Sequence, residues 1–141
     1  MNRIMYNVTN HPQEKWSAEQ LKAAHELADQ IIYMPFLNVS PSAEERTIRA
    51  WGADIAGTIV GAKKRGNDVI ALVQGEMTLT YAIVQNLIAH GIKVVAATSD
   101  RISVDNGDGT KTVKFEFCKF REYTEIKQWF YTDADPEENQ P

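Results

Sequence analysis

Three short segments carry the side chains able to do chemistry. The first is Thr9, Asn10 and His11; the second is Gln74, Gly75, Glu76, Met77 and Thr78; the third is Thr98, Ser99, Asp100 and Arg101. Each follows an apolar run and is polar, and together they suit a small anionic ligand. Gly75 would let a ligand approach the backbone. The helix expected behind it would offer free N–H groups to an anion, and Arg101 a permanently charged fork. A plainer account of each residue stands beside this. Gly75 could only turn the chain, Thr78 only cap a helix, and Glu76 only favour the helix dipole. His11 before Pro12 could be a surface histidine, Thr98 and Ser99 turn residues, and Arg101 a surface charge.

The elements that must position these segments can be read from periodicity. "RIMYNV", Arg3 to Val8, reads as a strand, and the polar loop "TNHPQEKW" follows. "SAEQ" is a capping box, Ser17 with Gln20, ahead of a helix with Leu21, Ala24, Leu27 and Ala28 at helical spacing. "QIIYMP", Gln30 to Pro35, is a second strand, stopped by its proline. A second capping box, Ser42 with Glu45, is expected to open a long helix with Ile48, Trp51, Ile55, Ile59 and Ala62 on its apolar stripe. That helix closes on "KKRG", with cations in the last turn and Gly66 beyond it. "DVIALVQ" and "KVVAAT" are nearly all apolar, as in parallel strands buried on both faces. Between them lies a third helix with Tyr81, Val84, Leu87 and Ile88, ending at Gly91. "ISV" and "TVKFEF" then alternate around "DNGDGT", which predicts a C-terminal β-hairpin with Val113, Phe115 and Phe117 facing inward.

The order β-α-β-α-β-α-β predicts a Rossmann-like, three-layer α/β fold with a mostly parallel sheet. Right-handed crossovers give the order 2-1-3-4, with the hairpin near one edge. Winding reverses between strands 1 and 3, and ligands of open α/β sheets bind beyond the strand ends at that reversal. The three polar segments fall there. The expected organisation is a single domain over residues 1–131 and an acidic, apolar-free tail, "TDADPEENQP", over 132–141, of the kind that stays disordered.

The bulk numbers narrow the function. A chain of 141 residues with a net charge of −4 suits one domain without the basic face of a duplex nucleic-acid binder. The single cysteine, Cys118, forbids an internal disulfide and fits a reducing cytoplasm. No apolar run reaches the ~18 residues of a membrane span. There is no G-x-x-x-x-G-K-[ST] and no G-x-G-x-x-G motif. His11, His25 and His90 show no metal-ligand spacing, so neither cofactor nor metal is expected. "DNGDGTKTVKFE" resembles a calcium loop only at Asp105 and Glu116; Gly107, Gly109 and Thr110 occupy its third, fifth and sixth positions.

The stretch "ALVQGEMTLTYAIVQNLIAHGIKVVAATSDR", followed by a hairpin and "KFREY", resembles small accessory proteins encoded beside type III CRISPR systems. "NVTNHP" resembles their N-terminal loop. The likeness spans roughly residues 1–123 and is most specific from Gln74 to Arg101. These proteins are compact relatives of the CARF domain, which is Rossmann-like and senses cyclic oligoadenylates; some are ring nucleases that cut the messenger, usually across a homodimer. The resemblance implies a cyclic oligoadenylate as ligand, the tetranucleotide fitting a two-fold dimer. It implies attack by a ribose 2′-hydroxyl on the adjacent phosphorus, with His11 as acid or base and Arg101 as charge stabiliser. Thr9, Asn10, Gln74, Gly75, Glu76, Thr78, Thr98 and Ser99 would bind the ligand, with Glu76 accepting from a ribose hydroxyl or an adenine amino group. A binding module that does not cleave, and an unrelated nucleotide-binding protein on the same fold, remain open alternatives.

Overall fold

The computed structural model describes residues 2–125, so the acidic tail expected over 132–141 lies outside the described residues. The chain runs β1 (Arg3–Val8), a short 3-10 turn (Gln13–Lys15), α1 (Ala18–Leu27), β2 (Gln30–Tyr33), α2 (Glu45–Lys64), β3 (Asp68–Val73), α3 (Met77–Ala89), β4 (Lys93–Asp105) and β5 (Lys111–Glu122). They form one sheet of order β2-β1-β3-β4-β5, parallel except for the antiparallel β4/β5 pair. This is the Rossmann-like α/β layout that the crossovers predict. No helix among the described residues is long and apolar enough to cross a membrane.

Two cores explain the layers. Tyr6, Val8, Ala71, Val73 and Val94 point to one side, against Ile59 of α2 and Ile83 and Leu87 of α3. Met5, Ile70, Leu72 and Val95 point to the other, against Ala24 and Ala28 at α1. β3 is buried along all but its first residue because helices cover both its faces, which is why its sequence is a continuous apolar run. On the crowded side α2 and α3 approach through Gly52. A Cβ there would sit 2.6 Å from Ala82 Cβ and 3.2 Å from its carbonyl carbon. Gly52→Val is therefore expected to force the helices apart and lower unfolding free energy by about 1–3 kcal/mol, read from urea denaturation.

The helix ends agree with the sequence at most places. Ser17 Oγ accepts from the Gln20 N–H at 3.1 Å, as a cap should. Gly66 and Gly91, just past α2 and α3, have φ of +96° and +71°. The second capping box is corrected. Glu44, not Ser42, stands at the N-cap of α2, and its side chain makes no capping bond. Ser42 instead pairs with Ser40, hydroxyl to hydroxyl at 2.9 Å, so it turns the preceding loop.

The largest departure is β4. The sequence places its end at Thr98, with a loop to Arg101 and a separate hairpin. One strand runs from Lys93 to Asp105. It leaves β3 after Leu72↔Val95, yet stays paired with β5 down to Asp105↔Lys111. Thr98, Ser99, Asp100 and Arg101 are therefore strand residues on a two-stranded ribbon. The expected inward set is corrected with them. Val113 is 41% and Phe115 70% exposed, and Phe117 is only half-buried, because the ribbon projects past the end of β3, away from the buried core.

Candidate functional site

A cleft of about 840 Å3 opens at the carboxyl ends of β1 and β3 and beside the middle of β4, on the α1 side of the sheet. Of the residues singled out in the sequence, Thr9, Asn10, His11, Gln74, Gly75 and Ser99 line it. The loop that forms one of its walls is held by a residue that the sequence reading passed over. Asn7 is wholly buried on the face of β1 that carries Met5. Its Nδ2 donates to the His11 carbonyl at 2.9 Å and lies 3.2 Å from Gln13 Oε1. Its Oδ1 accepts from the Thr9 hydroxyl at 2.7 Å. The His11 N–H donates to Thr9 Oγ1 at 3.1 Å, and Trp16 Nε1 donates to the His11 carbonyl at 2.9 Å. The His11 backbone is thus tied from several sides, while its exposed imidazole makes no hydrogen bond among the described residues.

Two candidates turn out to be structural as well as cleft-lining. Gln74 extends the sheet with its side chain: Nε2 donates to the Ala97 carbonyl at 2.9 Å, and Oε1 accepts from the Ala97 N–H at 2.8 Å. The amide stands in for a peptide of β3 just where that strand ends and β4 goes on with β5 as its one neighbour. Gly75 is small for the sake of Phe36, whose ring carbons would lie 2.5 Å from a Cβ at position 75. Its φ is not positive, so no left-handed turn requires it. The group that approaches this backbone is a side chain of the protein itself, and the ligand-approach role expected for Gly75 is corrected on that side.

Four other candidates lie apart from the cleft. Glu76, not Thr78, caps α3: its carboxylate accepts from the N–H groups of Thr78 at 3.1 Å and Leu79 at 2.8 Å, and from the Thr78 hydroxyl. The N–H groups expected to meet an anion are taken by this carboxylate, so the helix-terminus anion site is corrected. Glu76 and Thr78 border a second cavity of about 910 Å3 between α2 and α3. Thr98 Oγ1 donates to the Lys119 carbonyl at 3.0 Å and accepts from its N–H at 3.2 Å, which secures a β-bulge. Arg101 is exposed, on the same strand face as Ser99 but two residues further out, beyond the cleft lining.

The Leu79 N–H, then the Thr78 hydroxyl and N–H, hold the Glu76 carboxyl below its ordinary value of 4.5. A depressed folded pKa adds stability above the unfolded pKa, and this is lost as pH falls through the folded value. Glu76→Gln should accordingly unfold at a lower temperature than wild type at pH 7. The gap should narrow as pH falls below the ordinary carboxyl value of 4.5 and toward the lowered folded one, read from thermal melts between about pH 7 and pH 3.

The cleft also contains side chains that sequence reasoning missed: Lys15, Trp16, Gln20, Phe115 and Phe117. Lys15 and Trp16 sat in a stretch read only as a polar loop. A Lys-Trp pair beside a capping box was the available signal.

The model of the uncharacterized protein MJ1673 family matches residues 3–121, from the first residue of β1 almost to the last of β5. The chain belongs to that family. The match takes in every strand and helix described above, and so the whole cleft. A search of curated proteins finds no match.

Proposed function

We propose that this domain binds a cyclic oligoadenylate in the cleft and cleaves it by transesterification, switching off type III CRISPR signalling in the cytoplasm. The ribose 2′-oxygen attacks the adjacent phosphorus, the bond to the 5′-oxygen breaks, and a 2′,3′-cyclic phosphate and a 5′-hydroxyl result. The nucleophile is part of the substrate, so the reaction needs in-line geometry, charge stabilisation and proton transfer rather than a metal. The observation that carries this reading is that a tethered histidine with a free imidazole shares one cleft with Lys15, Asn10 and Ser99, at the reversal between β1 and β3. The resemblance across Gln74–Arg101 supplies the class of ligand. His11 is the acid or base, and Lys15 meets the phosphate. Arg101 reaches only a ring that extends outward along the ribbon.

A cyclic tetranucleotide has two-fold symmetry, and two copies of the chain about a two-fold axis would match it. The contact would use the ribbon's apolar face or α3, where Met77 and Tyr81 are exposed. The second reading, a sensor or sink that binds and does not cut, is favoured by the position of Arg101 outside the cleft lining.

Incubation with cyclic tetra- and hexaadenylate in EDTA, followed by separation of products, tests both. Linear products ending in a 2′,3′-cyclic phosphate support cleavage. An intact ring that raises the melting temperature identifies the sensor. A ring neither bound nor cut overturns the proposal.

A further inference from the structure

The ribbon carries an ordered row of aromatic rings. Ordinary alternation would put Phe117 and Phe120 on opposite faces of β5, since an odd number of steps separates them. The bulge removes this conflict. Thr98 pairs with Lys119 and Ser99 with Phe117, so Cys118 is the extra residue. Ala97↔Phe120, Ser99↔Phe117 and Arg101↔Phe115 then fall on one face, turned toward α1. The rings follow one another. Trp16 and Phe120 have centroids 6.4 Å apart, and Phe120 and Phe117 5.0 Å apart. Phe115 continues the row outward, 70% exposed.

Packing among the described residues accounts for Phe120 and for half of Phe117, but not for Phe115. Trp16, Phe117 and Phe115 all line the cleft, and polar groups flank them there: Gln20 from α1, Ser99 from β4 and Lys15 from the 3-10 turn. A wall of aromatic rings, each inclined at 57° to Phe120 where Trp16 and Phe117 meet it, with hydrogen-bonding groups at its edges and Lys15 in the same cleft alongside Glu19 and Glu116, has the chemistry of a nucleotide site, in which a base stacks on a ring and a phosphate pairs with the cation.

We propose that Phe115 and Phe117, brought into line with Trp16 by the bulge at Cys118, form a stacking wall for a purine base of the bound nucleotide. This rests on the nucleotide reading of the cleft and adds the part of the ligand that the wall takes. Stacking is indifferent to base identity, so the wall gives affinity; the amide of Gln20 and the hydroxyl of Ser99 are placed to read the base edge.

Titration of the full chain with AMP, GMP and ribose 5-phosphate tests the wall apart from cleavage. AMP and GMP are expected to bind at least tenfold more tightly than ribose 5-phosphate. Phe115→Ala should weaken AMP about tenfold, the loss of one base–aromatic stack, and leave ribose 5-phosphate unchanged. Phe115→Trp should restore AMP binding. Because Phe115 is exposed, the melting temperature of the free protein should not move. Equal affinity for AMP and ribose 5-phosphate, no AMP binding at millimolar concentration, or an unchanged AMP affinity in Phe115→Ala would each overturn the proposal. So would a Phe115→Ala protein that loses a dimer and keeps its nucleotide affinity, which would mark this face as a subunit contact. Cyclic tetraadenylate left uncut by a protein whose AMP affinity does fall in Phe115→Ala refutes the cleavage reading and supports the wall.

Discussion

His11→Ala is expected to slow single-turnover cleavage of cyclic tetraadenylate by about 10² and to leave its dissociation constant near that of wild type. The asymmetry follows from how His11 is held. Its N–H is bound by Thr9 Oγ1, and its carbonyl accepts from Asn7 Nδ2 and Trp16 Nε1, both at 2.9 Å. Every one of these bonds is made by the backbone of His11, so alanine keeps all of them and the cleft keeps its shape. What is lost is the imidazole, which in the proposed reaction serves the proton and not the grip on the ring. His11→Gln, which can donate a hydrogen bond but cannot shuttle a proton, should be as slow as alanine. A variant that cleaves at the wild-type rate would remove His11 from the chemistry and leave positioning of the 2′-hydroxyl as the source of rate. Equal losses in rate and in binding would make it a ligand contact only.

The layout of the sheet was legible because each parallel strand needs helices on both faces, and this writes a continuous apolar run into β3 and the first part of β4. The edge that carries the cleft was legible for the same reason: once the strand order is known, the reversal point follows. Thr9, Asn10, His11, Gln74, Gly75 and Ser99 meet there. What failed was local. "TSDR" reads as a turn on propensity, yet pairing with β5 holds it in a strand, so a tertiary partner overrode the residue types. Glu76 and Thr78 both suit an N-cap, and nothing in the sequence shows that the carboxylate reaches the two N–H groups ahead of it. The bulge that aligns the phenylalanines leaves no mark either, because Cys118 looks like any strand residue. Asn7 did leave one. A lone polar residue inside "IMYNV" must find partners once the strand is buried, and those partners shape the loop that holds His11.

Asn7→Leu is expected to lower unfolding free energy by about 3 kcal/mol, from hydrogen-bonding groups left unpaired in the interior. Leucine is close in size and would suit a position beside Met5, so a purely packing role would make the change neutral or stabilising. The bonds argue otherwise. Gln13 Oε1 loses its Asn7 donor, while Gln13 Nε2 still holds the Ile31 carbonyl and keeps the side chain in place. The Thr9 hydroxyl, 4% exposed, loses its acceptor at 2.7 Å and has only the His11 carbonyl at 3.2 Å to turn to. That carbonyl loses one donor and keeps Trp16. Asn7→Asp should be as harmful for a different reason: it still accepts from Thr9, but it sets a carboxylate against the His11 carbonyl and Gln13 Oε1, acceptor facing acceptor, at a wholly buried position. Urea denaturation of the two variants measures the loss. If both stay within about 0.5 kcal/mol of wild type, the scatter expected of an unremarkable surface change, Asn7 does not organise the loop. With the loop loosened, cleavage in the fraction that remains folded should fall in the direction of His11→Ala, since a displacement of about 1 Å in a reacting group can cost 10²-fold.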